Sequence, residues 1–259
     1  MKYAFSVTNI DNMSEMEREG LKLLQLIKNY SASLNNLMEI KFPKGIVFHD
    51  FESATQVFSS IPLPAYTSRE LIHITPLPKV WREIFLSVTN DKNTSEAQKY
   101  FKKLDIIDVA TIAAHELTHH SEIFHDDFDK IDEDNKWFEE GMCFYLPRKI
   151  MMSENKFEKI MSVENELIKL YNSKFGNYVL SEFGKSASKN NYASILYDYW
   201  RSTNVVRRLV EIFFNGDVKR LLEFYKSWIN IKNTQSLHRF IVKNLNIPQS
   251  EAKKMWLLD

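Results

Sequence analysis

Within Ala114-His-Glu-Leu-Thr-His-His120, two histidines stand four residues apart with a glutamate directly after the first. Four residues is just over one helical turn, so His115 and His119 project from one face of a helix. Two imidazoles on one face can share a zinc ion at about 2.0–2.1 Å each. Glu116 is rotated by roughly 100° from His115, since a helix has 3.6 residues per turn. It is poorly placed as a ligand alongside both histidines and well placed to take a proton from a water beside the metal. The chemistry this suits is metal-assisted hydrolysis: the ion acidifies water toward a pKa of about 7 and Glu116 acts as general base.

A catalytic zinc takes three protein ligands and keeps a position open, which raises the question of the third. There are two candidates. His125 follows His119 by six residues, and the run HELTHHSEIFH is similar to the metzincin pattern HExxHxxGxxH, with Glu122 where that pattern has its turn-forming glycine. Glu140 follows His119 after twenty intervening residues, in Trp137-Phe-Glu-Glu-Gly-Met-Cys-Phe-Tyr145. On a helix its neighbour Glu139 points about 100° away. Gly141 is expected to let this second helix approach the first closely, with Trp137, Phe138 and Phe144 supplying packing area. Cys143, the single cysteine, reads as a small core residue.

HELTHH followed by WFEEGMCFY resembles the gluzincin zinc peptidases of the peptidase-MA clan, over residues 111–145. The resemblance implies a thermolysin-like catalytic fold, one zinc ion per chain held by His115, His119 and Glu140, and peptide-bond hydrolysis on a peptide or protein substrate. It also implies a tyrosine that stabilises the oxyanion. Tyr199 fits that place best, with Tyr197 and Tyr192 as alternatives; the glycine of the family motif is Ser202 in this chain. The acid that orients a ligand histidine in thermolysin-type enzymes would fall at Phe144, so carboxylates orienting His115 and His119 are expected from elsewhere. Gluzincins pair their substrate with an edge strand, a role that would fall to residues 70–75. No Gly-x-Met-Glu-Asn element is present, which favours an endopeptidase or a narrow processing enzyme over an aminopeptidase. The alternative to a peptidase is a catalytically silent or autoinhibited binding module of the same fold. His49, His73, His120 and His238 receive no role.

The elements that must position these residues are mostly helices. Apolar residues at helical spacing run from Ser14 to Ile40, and Pro43 and Gly45 break the pattern. Short apolar runs bounded by breakers predict strands at 45–50 and 69–75, followed by a short helix at 81–88. The zinc helix is predicted over 105–120, a solvated aspartate-rich loop over 125–136, and helices at 137–152, 155–172, 191–213, 217–230, 234–244 and 248–257. Asn215-Gly216 predicts a turn. The expected class is α+β and predominantly helical, with a small sheet and a helical C-terminal half. Residues 1–125 would carry the sheet and the zinc helix, and 126–259 the third ligand.

Composition sets the outer bounds. The chain has 259 residues, 34 basic against 34 acidic, 44% hydrophobic and 26% charged, which fits a soluble globular protein and excludes a largely disordered or fibrous one. A net charge of +0 argues against a broad nucleic-acid surface. One cysteine allows no internal disulfide, so a reducing compartment is expected. No secretory leader or spanning segment is evident, and the expected location is cytoplasmic, without membrane association.

Overall fold

Four short strands make a mixed sheet against which the first helices pack. The computed structural model describes residues 1–89, 94–124, 135–176, 178–188, 191–231 and 234–256. In chain order these form β1 (Lys2–Ser6), α1 (Met13–Asn35), β2 (Gly45–His49), β3 (Ala65–Ser68), β4 (Leu71–Ile74), α2 (Pro78–Ser87), α3 (Ser95–Lys102) and α4 (Ile106–Thr118). There follow α5 (Lys136–Met151), α6 (Glu154–Phe175), α7 (Tyr192–Arg208), α8 (Val218–Ile229), α9 (Leu237–Asn244) and α10 (Gln249–Trp256). The fold is therefore α+β and mostly helical. No described helix is long and apolar enough to cross a membrane.

The sheet order is β1-β2-β4-β3, with β1 and β4 parallel to β2 and β3 antiparallel to β4. Period-two alternation puts Ile46, Phe48, Ile72 and Ile74 on one face, where all four are buried in the main hydrophobic cluster. Gly20 lets α1 lie flat on that face, since a Cβ there would come within 2.7 Å of the Phe5 ring and 3.0 Å of Phe48. On the opposite face His49 Nε2 and His73 Nδ1 meet at 2.9 Å. Ser53 and Ser68 hydroxyls flank the pair at 3.0 and 3.2 Å, and Tyr66 stacks on His73 with its centroid 4.8 Å away. Burial and the neighbouring His73 hold His49 down to about 4, so this pair is a neutral hydrogen-bonded link inside the sheet layer.

Two strands differ from the sequence reading. β1 lies in a segment for which no structure is expected from the sequence, and β3 follows directly on the proline-rich stretch 60–65. The strand at 69–75, expected at the edge, is the inner strand β4; the edge beside α4 is β3. A tight turn at Arg69 and Glu70, with φ of 51° and 61°, joins the two. Asn215 and Gly216 do form a left-handed turn, with φ of 52° and 81°.

One hydrophobic cluster runs from Met16 to Trp256 and includes side chains of α1, α4, α5, α8, α9 and α10. A second, smaller cluster joins α3, α6 and α7 around Phe101, Leu167 and Trp200. The aspartate-rich stretch, with its candidate ligand His125, lies outside the described residues.

Candidate metal centre

α4 begins where the sequence provides a capping box. Asp105 accepts from the backbone N–H groups of Ile107 and Asp108, and the Asp108 carboxylate accepts from the Asp105 N–H at 2.8 Å. Small residues at Ala110, Ala113 and Ala114 then bury the helix completely on its inner side. At its far end the Tyr30 hydroxyl meets Thr118 Oγ1 at 2.7 Å, pinning the last turn to α1. The helix closes at His119, which is its C-cap.

α5 crosses this helix and is buried on nearly all sides. Its first turn is fixed by Glu139, whose Oε1 accepts from Asn135 Nδ2 at 2.9 Å and from the Tyr225 hydroxyl of α8. Glu139 is thereby directed away from the histidines, as its helical phase requires. Gly141 does not serve the approach to α4 that the sequence suggested. A Cβ at that position would come within 2.7 Å of the Ser202 carbonyl oxygen and 2.7 Å of Val206 Cγ2, so the glycine permits close contact with α7 instead.

These constraints bring His115, His119 and Glu140 together. The two Nε2 atoms are 3.0 Å apart, and Glu140 Oε2 lies 3.4 Å from His115 Nε2 and 3.3 Å from His119 Nε2. Ligands on a tetrahedron with bonds of 2.0–2.1 Å stand about 3.3 Å apart, so the spacing matches a zinc site. Glu140 Oε2 is buried and meets no hydrogen-bond donor among the described residues. A proton between the imidazoles would satisfy those two nitrogens alone, whereas one cation satisfies all three atoms. Among the described residues this is the one group of three or more His, Cys, Asp or Glu able to hold a metal.

Burial pushes the His115 imidazole well below its ordinary pKa, and the nearby His119 and Arg148 act in the same direction. A neutral imidazole is the form that binds metal. Among the described residues no carboxylate meets His115 Nδ1. The main chain at Cys143 acts in the opposite direction and raises the pKa of the ring. The Phe144 ring covers His115 at a centroid distance of 4.2 Å and is itself backed by the Arg148 guanidinium at 4.9 Å. Arg148 is fixed by a bidentate pair with Glu164, both contacts being 2.7 Å.

Glu116 sits on the same helix and turns toward the edge of the sheet, where its Oε2 accepts from Thr67 Oγ1 of β3 at 2.9 Å. Burial lifts its carboxyl to about 7, with Glu140 adding to the rise, while His119 and the Thr67 hydroxyl oppose it. Sequence reasoning did not find Thr67. Its strand is four residues long and its turn lacks the Asn-Gly or Asp-Gly that announces a hairpin.

Of the three tyrosines, the structure places Tyr199 beside the centre, its ring 6.2 Å from His115 and 5.3 Å from Phe144. Tyr197 faces away and donates to Asn172 Oδ1 at 3.0 Å, and Tyr192 donates to the Pro62 carbonyl at 3.3 Å. His120 is a half-buried neighbour whose carbonyl accepts from the Lys41 N–H. No protein family, curated protein or solved structure matches this chain.

Proposed function

We propose that this protein is a zinc-dependent peptidase of gluzincin type, with a thermolysin-like catalytic fold. The observation that carries the reading is the convergence of His115 Nε2, His119 Nε2 and Glu140 Oε2 to within 3.0–3.4 Å of one another. The donor set suits zinc, which favours imidazole nitrogen and carboxylate oxygen. When bound, the ion would supply Lewis acidity that acidifies water and polarises a carbonyl.

The remaining roles belong to the chain. Glu116 accepts a proton from the attacking water and returns it to the leaving amine. Thr67 holds that carboxylate at one oxygen, leaving the other for the proton. Tyr199, whose ring lies 6.2 Å from that of His115, would donate to the substrate carbonyl oxygen as negative charge grows there; losing one such donor typically costs about 10²–10³ in rate. β3 is a sheet edge, and a substrate main chain can pair with it as an added strand. Since Thr67 belongs to both the edge and the Glu116 contact, a paired peptide would pass the general base.

The test is elemental analysis and a peptide-library digest. Zinc is expected at one per chain, lost in His119→Ala and Glu140→Ala and kept in Glu116→Gln. Glu116→Gln is expected to cleave nothing. A Glu116→Gln protein that cleaves as well as the parent overturns the mechanism.

One observation favours the second reading, a silent or self-blocked binding module of the same fold. His115, Glu116, His119 and Glu140 are only 6–8% exposed. Stoichiometric zinc without turnover of any library peptide would select that reading.

A further inference from the structure

The buried histidines on the outer face of the sheet have no part in the proposed metal chemistry, and they belong to a longer line of contacts. Ser68 Oγ lies 3.2 Å from His73 Nε2, His73 Nδ1 lies 2.9 Å from His49 Nε2, and His49 Nδ1 lies 3.0 Å from Ser53 Oγ. Ser53 Oγ in turn meets Ser6 Oγ at 2.8 Å, and the Ser53 N–H donates to Asp50 Oδ1 at 2.9 Å. Apolar side chains suffice to cover a sheet face. Imidazoles buried there need a partner for every nitrogen, and all four ring nitrogens have one.

The members of the line differ in access. His49 and His73 are 0% and 4% exposed, whereas Ser68 is exposed at the end of β3. With its proton on Nδ1, His73 donates to His49, and Nε2 is left to accept from the Ser68 hydroxyl. Burial holds His73 below its ordinary pKa against the opposing Ser68 main chain, so the ring is neutral at neutral pH. Tyr66 stacks on it at 4.8 Å, and the exposed Phe58 covers it at 5.9 Å and His49 at 4.8 Å. A hydroxyl beside a base whose other nitrogen is held by a third group is the arrangement that activates a serine. The turn after Ser68 adds an independent sign. Arg69 and Glu70 hold φ of 51° and 61°, a conformation that usually calls for Asn and Gly. The Lys44 N–H donates to the Glu70 carbonyl at 2.7 Å, and Lys44 and Lys41 Nζ lie 2.6 and 3.3 Å from the Glu70 carboxylate. Strained backbone fixed by its surroundings in this way gathers at functional sites.

We propose that Ser68 is the nucleophile of a second hydrolytic site, with His73 as its general base and His49 as a positioning residue, acting on carboxylic esters with an apolar acyl group. Phe58 supplies exposed apolar surface beside the base for that group. Ser68 Oγ attacks the ester carbonyl carbon, and its proton passes to His73 Nε2. As the bond to the alcohol breaks, the alcohol leaves with that proton and the acyl group stays on Oγ. Water then attacks the acyl carbon, its proton goes to Nε2 and on to Oγ, and the carboxylic acid departs. Thr67, between Tyr66 and Ser68, points to the opposite face of the strand and toward Glu116. The inference therefore stands apart from the metal reading.

The full chain, with and without a zinc chelator, is treated with a fluorophosphonate, a reagent for activated serines, and assayed separately with para-nitrophenyl butyrate. Mass spectrometry of the digested protein locates the label. Ser68 is expected to take it up, while Ser227, an exposed serine whose hydroxyl donates to the Phe224 carbonyl, stays unmodified. General-base assistance contributes about 10²–10⁴-fold, so Ser68→Ala and His73→Gln should each lose at least about a hundredfold in ester turnover, whether or not the chelator is present. His49→Gln, which can still accept from His73 Nδ1, should retain turnover that His49→Leu loses. Ser68→Ala changes an exposed side chain and should keep the parental unfolding midpoint, so the test holds even where a histidine variant fails to fold. Equal labelling of Ser68 and Ser227, or parental turnover in Ser68→Ala, overturns the inference. Turnover that the chelator abolishes and Ser68→Ala leaves intact belongs to the metal centre, which overturns this second site and leaves the metal reading standing.

Discussion

Thr67 and Glu116 show how one hydroxyl from a sheet edge can tune a helix-borne carboxylate. The hydroxyl donates to Oε2 and holds the carboxyl below where burial alone would put it. Thr67→Val removes the donor and keeps the shape, so the Glu116 pKa should rise. A general base works only when deprotonated, so the acid limb of the rate profile should move to higher pH, with kcat/KM down about tenfold at neutral pH. An unshifted limb in a pH series would separate the hydroxyl from the base. A second expectation concerns metal-free protein. Glu116 is raised from 4.5 to about 7, so its contribution to stability is full below pH 4.5 and is lost as pH rises through 7. The loss amounts to about 3 kcal/mol between pH 4 and pH 8. His115 acts oppositely: kept neutral by burial, it supports the fold above about pH 6.5 and withdraws that support as pH falls. Urea titrations of chelator-treated protein should therefore show Glu116→Gln gaining on the parent from pH 5 to pH 8.

At the scale of elements, α5 is held by what its neighbours cannot accommodate. Gly141→Ala would drive a methyl to 2.7 Å from the Ser202 carbonyl oxygen, which is backbone and cannot step aside. The helices must separate, at a cost of about 1–3 kcal/mol. Because Glu140 is the adjacent residue, zinc affinity should fall with stability, and unfolding and metal titration on one sample would show both. The helices were legible because each signal was local. Apolar spacing, capping residues and breakers put those of the C-terminal half within three residues of their observed ends, once the π-helical turn Leu209–Phe213 is taken as the continuation of α7. The HExxH spacing and the glutamate before Gly141 likewise named three side chains that do converge. β1 and β3 were not legible, since each is short and takes its identity from a partner strand that local spacing does not reveal. The role of Gly141 was misplaced for a similar reason. A glycine announces close approach, but its partner, Ser202 on α7, lies 61 positions later in the sequence. Thr67 stayed hidden with its strand.

Across the whole molecule, the candidate metal site joins α4 and α5 within the cluster that runs from Met16 to Trp256. An ion bound there and not in the unfolded chain stabilises everything the cluster includes. With free zinc at about a thousandfold its Kd, the fold should gain about 4 kcal/mol. Calorimetry with and without a chelator is expected to show one transition moving as a unit, its midpoint rising with zinc; a midpoint indifferent to zinc would sink the metal reading. The clasp on α5 adds a constraint of another kind. Glu139 receives the Tyr225 hydroxyl from 86 positions further along the chain. A ribosome releases its product from the N-terminus onward, so Glu140 emerges long before the residue that steadies the turn beneath it. On the proposed metal reading, capture of the ion is a late event in the life of a new molecule: nascent chains halted short of Tyr225 would leave the tunnel with His115, His119 and Glu140 translated and the grip not yet made.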